Sequence, residues 1–216
     1  MMKTVSRKGG AAILGLGALI AWTAAGAGSQ GLARAATASS RRAFVAPPET
    51  AESIVMRWPP RSRNAAGLML EKYGAPDQFD RDTLVWFNNG VWKKTIVHRS
   101  VARRDPAGRT RDFLEQTIGY LVPSDKVADL ARFSPMIEIS QTAGDLTFSS
   151  DSEAKNRLAL NLADEIVTGK RDVADARAYF LKTSRLSASG KSSSYLDGLL
   201  FEVDNTRTMI PTGADR

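Results

Sequence analysis

The chain has 216 residues, of which 43% are hydrophobic, 25% charged and 7% aromatic, with one histidine and no cysteine. That length fits one ordinary domain with room for an export leader, and the average charged fraction is unlike that of a disordered tail or a membrane bundle. The missing cysteines exclude a thiol nucleophile, a disulfide framework and cysteine-ligated zinc or iron–sulfur sites, and a lone histidine excludes multi-histidine metal sites within one chain; no metal and no cofactor is expected.

Residues 1–27 have the three parts of a secretory signal peptide. Lys3, Arg7 and Lys8 make a positive start, and Leu14, Leu16, Leu19, Ile20 and Trp22 supply an uncharged apolar body. Ala25-Gly26-Ala27 offers small residues for cleavage, and Ala36-Thr37-Ala38 offers a later choice. A spanning helix needs about 20 strongly apolar residues. This stretch is shorter and heavy in Ala and Gly, so cleavage is expected, leaving a periplasmic or secreted chain without a transmembrane helix. Lys3, Arg7, Lys8 and Arg34 all precede the first acid, Glu49, so removing residues 1–38 lowers the net charge from +7 to +3. That is a weak field for nucleic acid, and no specific nucleic-acid partner is expected.

Residues 28–48, rich in Ala, Ser, Gly and Arg, read as a flexible lead-in ending at Pro47-Pro48. Ala51, Ile54, Val55 and Trp58 then fall on one helical stripe beginning near Thr50. Pro59-Pro60 ends that helix, and Ser62 is placed to cap a second one with Ala65, Leu68, Met69 and Tyr73 inward. Gly74 sits where a left-handed residue closes a helix, and Pro76 forbids continuation.

Thr83–Phe87 and Trp92–Val97 are rich in aromatic and β-branched residues, with Asn88-Asn89-Gly90 between them, and predict a hairpin. A two-residue loop sets Phe87 opposite Trp92 and Trp86 opposite Lys93. A three-residue loop sets Trp86 opposite Trp92. Bulky apolar groups on both faces predict a hairpin internal to a sheet and covered on both sides. His98 is expected on the face of Ile96 and Trp92. Residues 99–112 read as a polar, basic loop.

Leu114, Gln116, Ile118, Tyr120 and Val122 alternate as in a third strand, with a helix as rival because Phe113, Thr117 and Leu121 also align. Ser124 caps a short helix carrying Val127, Leu130 and Ala131, stopped by Pro135. Residues 136–141 and 146–149 suggest a hairpin around Ala143-Gly144-Asp145. The last third turns helical. One helix starts at Asp151 or Ser152, with Leu158, Ala159, Leu162, Ala163 and Ile166 inward, and Gly169 closes it. Asp172 caps the next, through Val173, Ala176, Tyr179 and Phe180. Ser184–Ser194 reads as a serine-rich, mobile stretch, and Tyr195–Val203 as a final apolar segment. The expected fold is α+β: a mostly antiparallel sheet built from hairpins, packed with helices, with a helical C-terminal third. It occupies residues 49–203, and residues 204–216 form a tail.

The chemistry is sparse. Lys93, Lys94, Arg99, Arg103 and Arg104 are the anion-binding candidates, on the end of a hairpin and its following loop. Trp86 and Trp92 add stacking surface if exposed, although tryptophans in such strands usually belong to the core. Charge runs are commonly solvated loops, which is the competing reading. His98 lacks a Gly-x-Ser-x-Gly elbow or a comparable nucleophile, so no catalytic residue is assigned. Asp145, Asp151, Glu153, Asp164 and Glu165 are placed on caps and exposed helix faces, where acids are ordinary. Gly15-Leu16-Gly17 lies inside the leader and Gly190-Lys191-Ser192 lacks an upstream glycine, so no nucleotide loop is present.

Lys72-Tyr73-Gly74-Ala75-Pro76-Asp77, with Leu84-Val85-Trp86 and Trp92-Lys93, resembles an uncharacterised group of exported bacterial proteins. The helix, Tyr-Gly-x-Pro turn and hairpin are also similar to small outer-membrane assembly modules of the BamE type, over residues 62–98. The chain departs from that pattern by lacking a lipobox cysteine and by its long helical C-terminal third, and no functional residues are carried over. The expected role is an exported, non-enzymatic binding module whose partner is an envelope protein, a lipid headgroup or a polyanion. The competing class is a hydrolase using carboxylates or Ser with His98.

Overall fold

A computed structural model describes residues 49–101 and 111–205. The first helix, α1 (Ala51–Val55), starts from a reciprocal cap: the Thr50 hydroxyl accepts from the Ser53 amide and the Ser53 hydroxyl accepts from the Thr50 amide. Its predicted stripe, Ala51, Ile54, Val55 and Trp58, is buried. Helix α2 (Pro60–Tyr73) begins before the expected Ser62 cap, with Pro60 in the first turn, where its missing N–H costs nothing. Ser62 is buried and donates instead to the Pro59 carbonyl. Leu68 is exposed and Ala66 takes the inward place. Gly74, with φ +75°, ends the helix as its position predicted.

Six strands form one antiparallel sheet in the order β1-β2-β3-β4-β6-β5. They are β1 (Gln78–Phe79), β2 (Thr83–Asn89), β3 (Trp92–His98), β4 (Leu114–Gly119), β5 (Ile137–Ser140) and β6 (Asp145–Ser150). The alternation from Leu114 to Ile118 therefore marks a strand, not the rival helix. A short 3₁₀ turn (Ser124–Lys126) leads into α3 (Val127–Phe133), where Phe133 rather than Ala131 is buried. Three helices follow: α4 (Glu153–Val167), α5 (Val173–Ala188) and α6 (Ser194–Asp197). Asp172 caps α5 by accepting from the Asp175 amide, and Gly169 has φ +74°. Helix α5 runs through Ser184–Ala188, so half of the stretch expected to be mobile is regular helix.

The hairpin register is neither of the two expected. Asn89 pairs with Trp92, Phe87 with Lys94 and Trp86 with Thr95. Strand β2 continues through both asparagines, and Gly90 (φ +71°) and Val91 make the turn. Asn88 takes a left-handed φ of +51° inside the strand, which few residues tolerate better. Opposite it the alternation of β3 breaks. Trp92 joins the helix-side core while Lys93 and Lys94 both line a cavity on the other face. His98 therefore does not share its face with Trp92.

The ladders put Leu84, Trp86, Val97, Leu114, Ile118, Leu146 and Phe148 on one face, and that face carries the helices. One apolar cluster joins α1 and α2 to Leu84, Trp86, Val97 and Leu114. Another joins α3, α4 and α5 to Ile118, Leu146 and Phe148. Each fully buried Leu or Val contributes roughly 1.5–3 kcal/mol over leaving it exposed. Val85, Phe87 and Ile96 point to the opposite face and belong to neither cluster, so the described helices cover the hairpin on one side instead of two.

A polar seam runs between the clusters. Ser150 Oγ donates to Asn156 Oδ1 at 2.6 Å, Asn156 Nδ2 to Gln116 Oε1 at 3.0 Å, and Gln116 Nε2 to Thr95 Oγ1 at 3.4 Å. Gln116, Asn156 and Thr95 are fully buried, and each would destabilise the core without these partners. At the end of β4, Asp204 and Asn205 dock against Gly119 through an amide-to-carbonyl bond and a side-chain bond. The expected tail therefore begins no earlier than residue 206, since both of these residues pack on the sheet. A Cβ on Gly119 would lie 1.8 Å from the Asp204 carbonyl oxygen, so only glycine fits this approach.

Candidate functional site

Polar side chains gather, among other places in the described residues, at a carboxylate under α2, along a charged ribbon on the helix-free sheet face, and around a cavity at one end of that face. The first centres on Glu153, the opening residue of α4. Its Oε1 accepts from Tyr73 Oη at 2.7 Å, Trp92 Nε1 at 2.8 Å and Arg157 Nη2 at 2.5 Å, and its Oε2 from Lys72 Nζ at 2.8 Å. Burial alone would raise this carboxyl, but the donors from Lys72, Tyr73 and Trp92, with the Arg157 charge, hold it below the ordinary range. The Tyr73 phenol is pushed up by burial and by the carboxylate it faces. With three donors on Oε1 and one on Oε2, this carboxylate ties α2, β3 and α4 together.

On the helix-free face, Glu115 accepts from Arg111 Nη1 at 2.6 Å, while Arg111 Nη2 reaches Glu138 at 3.1 Å. His98 Nε2 lies 3.7 Å from Glu115 Oε2, an ion pair once the imidazole is protonated. Burial would raise Glu115, but His98 and Arg111 beside it, with Lys94 further off, bring it below the ordinary value. The histidine and an acid thus meet, as a hydrolase would need. The neighbouring Ser149 Oγ is engaged by the Asp112 backbone, accepting from its amide at 2.6 Å and donating to its carbonyl at 3.2 Å, so it is not poised as a nucleophile.

The third place is a cavity of about 260 Å³ at the hairpin end of the same face, bounded by Phe87, Asn88, Lys93, Lys94, Thr117 and Asp145, with Asn205 at its margin. Lys93 Nζ and Asp145 Oδ1 form an ion pair at 2.7 Å, with side chains only 7% and 9% exposed. Thr117 shares a hydroxyl–hydroxyl bond of 2.8 Å with Thr147. Asn205 is fixed from both ends, accepting from the Gly119 amide at 2.9 Å and donating to the Val91 carbonyl at 3.0 Å.

The anion-binding candidates therefore separate. Lys93 and Lys94 meet at the cavity. Arg99 lies apart in an exposed pair with Asp82 at 3.3 Å. Arg103 and Arg104 fall outside the described residues. Trp86 and Trp92 are buried and offer no stacking surface. Asp145 and Glu153 overturn the expectation of ordinary exposed acids, being 7% and 8% exposed and each paired with a cation. Asp164 and Glu165 are also engaged, by Tyr120 at 2.9 Å and by Arg171 at 2.6 Å. The sequence held a signal for Glu153: two amphipathic aromatics, Tyr73 and Trp92, each sit on an inward stripe and need a buried acceptor.

Among the described residues, no three of His, Asp and Glu converge to hold a metal, and no helix is long and apolar enough to cross a membrane. No family model, curated protein or solved structure matches this chain. The similarity to BamE-type modules accordingly rests on the short motifs of residues 62–98.

Proposed function

We propose that this chain is an exported, non-enzymatic binding module of the cell envelope that holds its ligand in the cavity beside Lys94. One observation carries the reading. Lys94 makes no ion pair or hydrogen bond among the described residues and faces the cavity next to a half-exposed Phe87. Lys93, Arg99 and Arg111 are each matched by an acid. An unspent cation beside an apolar ring is a recognition element. The leader-like residues 1–27 support export.

Native mass spectrometry of the protein purified from the periplasm tests both halves. The expected mature chain begins at Gly28 or Ser39 and carries a small-molecule adduct that the Lys94→Met protein lacks. Full-length chain free in the cytosol overturns export. An adduct unchanged by Lys94→Met overturns the site.

A second reading, a hydrolase built on His98 and Glu115, is favoured by their 3.7 Å approach. It predicts ester or amide hydrolysis abolished by His98→Gln, whereas the binding reading predicts none to abolish.

A further inference from the structure

We infer that the Lys94 cavity takes a small organic monoanion: one carboxylate attached to a flat apolar body. This rests on the binding reading above and narrows it to a chemical class, setting aside the polyanion and the lipid headgroup. Size comes first. About 260 Å³ falls below the roughly 300–1,000 Å³ of pockets that enclose drug-sized ligands, so the occupant is smaller than those.

Charge comes next. The cavity wall holds two cations and one anion, Lys93, Lys94 and Asp145. Lys93 and Asp145 cancel each other in a contact of 2.7 Å that is almost closed to water. One positive charge is left, matched by one negative charge. A polyanion needs a row of free cations, each neutralising one phosphate or sulfate. Here Arg99 is spent on Asp82, and Arg111 on Glu115 and Glu138. Among the described cations of the basic cluster, Lys93, Arg99 and Arg111 are each paired with an acid, and Lys94 is the lysine left without a direct partner.

The apolar half of the ligand follows from Phe87. That residue is 39% exposed and lines the cavity, while the hairpin's two tryptophans are 2% exposed or less. A flat ring or short apolar body lying on Phe87 would place its carboxylate at the Lys94 ammonium, a charge-assisted hydrogen bond. The Asn88 side chain has no partner among the described residues and faces the same space, so its amide can donate to the second carboxylate oxygen. Asn205, fixed at both ends, serves as wall. Lys93 and Asp145 set the floor, and Asn88, left-handed at φ +51° and exposed, lines the rim.

The test is an amide-resolved NMR titration of the intact mature protein with benzoate, with benzamide and inorganic phosphate in parallel. Saturable shifts at Phe87, Asn88 and Thr117 with benzoate alone are expected. Lys94→Met should weaken benzoate about tenfold or more, as expected for losing a charged hydrogen bond. Phe87→Ser should also weaken it, with the rest of the spectrum unchanged. Equal binding of benzamide would show that charge is not read, and equal binding of phosphate that the apolar body is not; either result overturns the monoanion assignment. No binding of benzoate, in a protein whose native adduct depends on Lys94, overturns the ligand class and leaves the binding site standing. Absence of both overturns the two together.

Discussion

On the helix-covered face, polar and charged groups are enclosed and bonded to one another: Glu153 takes four donors, and an open hydrogen-bonded chain runs from Ser150 through Asn156 and Gln116 to Thr95. On the helix-free face Lys93 pairs with Asp145 and Arg111 bridges Glu115 and Glu138, while Lys94 has no direct partner among the described residues and acts on Glu115 only at longer range. The difference teaches where function can reside. An enclosed polar group with every partner supplied stabilises and specifies the fold, while an unspent group beside an open cavity is available to something else.

The sharpest way to break this comparison is the Lys93–Asp145 pair, the most enclosed ion pair of the open face. Asp145→Ala should cost about 4 kcal/mol by stranding a buried ammonium, and Lys93→Met with Asp145→Leu should recover most of it. Urea denaturation of the three proteins measures both numbers. A single variant as stable as the parent would show that the pair does not close the cavity floor.

Glu153→Ala should cost about 3 kcal/mol in the same assay, because it leaves Tyr73 Oη without its acceptor and the Arg157 guanidinium without its carboxylate, with only the longer Tyr73 Oη contact of 3.2 Å left to Trp92 Nε1. The loss is smaller than for Asp145 because Lys72 is 44% exposed and can be solvated. Acid should act in the same direction. Glu115 and Glu153 both titrate below the ordinary 4.5 when folded. The unfolded chain then takes up protons first as pH falls. The stability these groups add is complete above that value and is lost as pH drops through the lower folded values. The urea midpoint should therefore fall as pH drops below about 4.5, and Glu153→Gln should flatten the fall. The smallest effect belongs to the exposed pair: Arg99→Ser should change stability by less than about 0.5 kcal/mol.

Much of the framework was legible locally. The stripes of α1 and α4, the helix start near Thr50, the Asp172 cap, the Gly74 stop and the strand from Leu114 to Ile118 all follow from periodicity and backbone chemistry within a few residues. Errors came where two conformations compete locally. The Asn88-Asn89-Gly90 run tolerates positive φ at several positions, so it cannot announce which residue turns. The ladder chose a register in which Asn88 stays in the strand. The break in alternation at Lys93 followed, and with it the grouping of Lys93 with Lys94 on one face. Two-residue β1 was missed because nothing in Gln78-Phe79 alternates.

The candidate site was half legible. Composition marked the basic cluster, because like charges close in sequence are visible without a fold. Their neutralisation was not visible, because the acids lie far along the chain: Asp145 meets Lys93 across 52 residues, and Glu153 meets Tyr73 across 80. Helix stripes, caps and strand alternation are written in short-range chemistry, so they can be read one segment at a time. Which charges cancel and which is left over depends on long-range pairing, and the fold alone brought Asp145 to Lys93 and left Lys94 facing an open cavity.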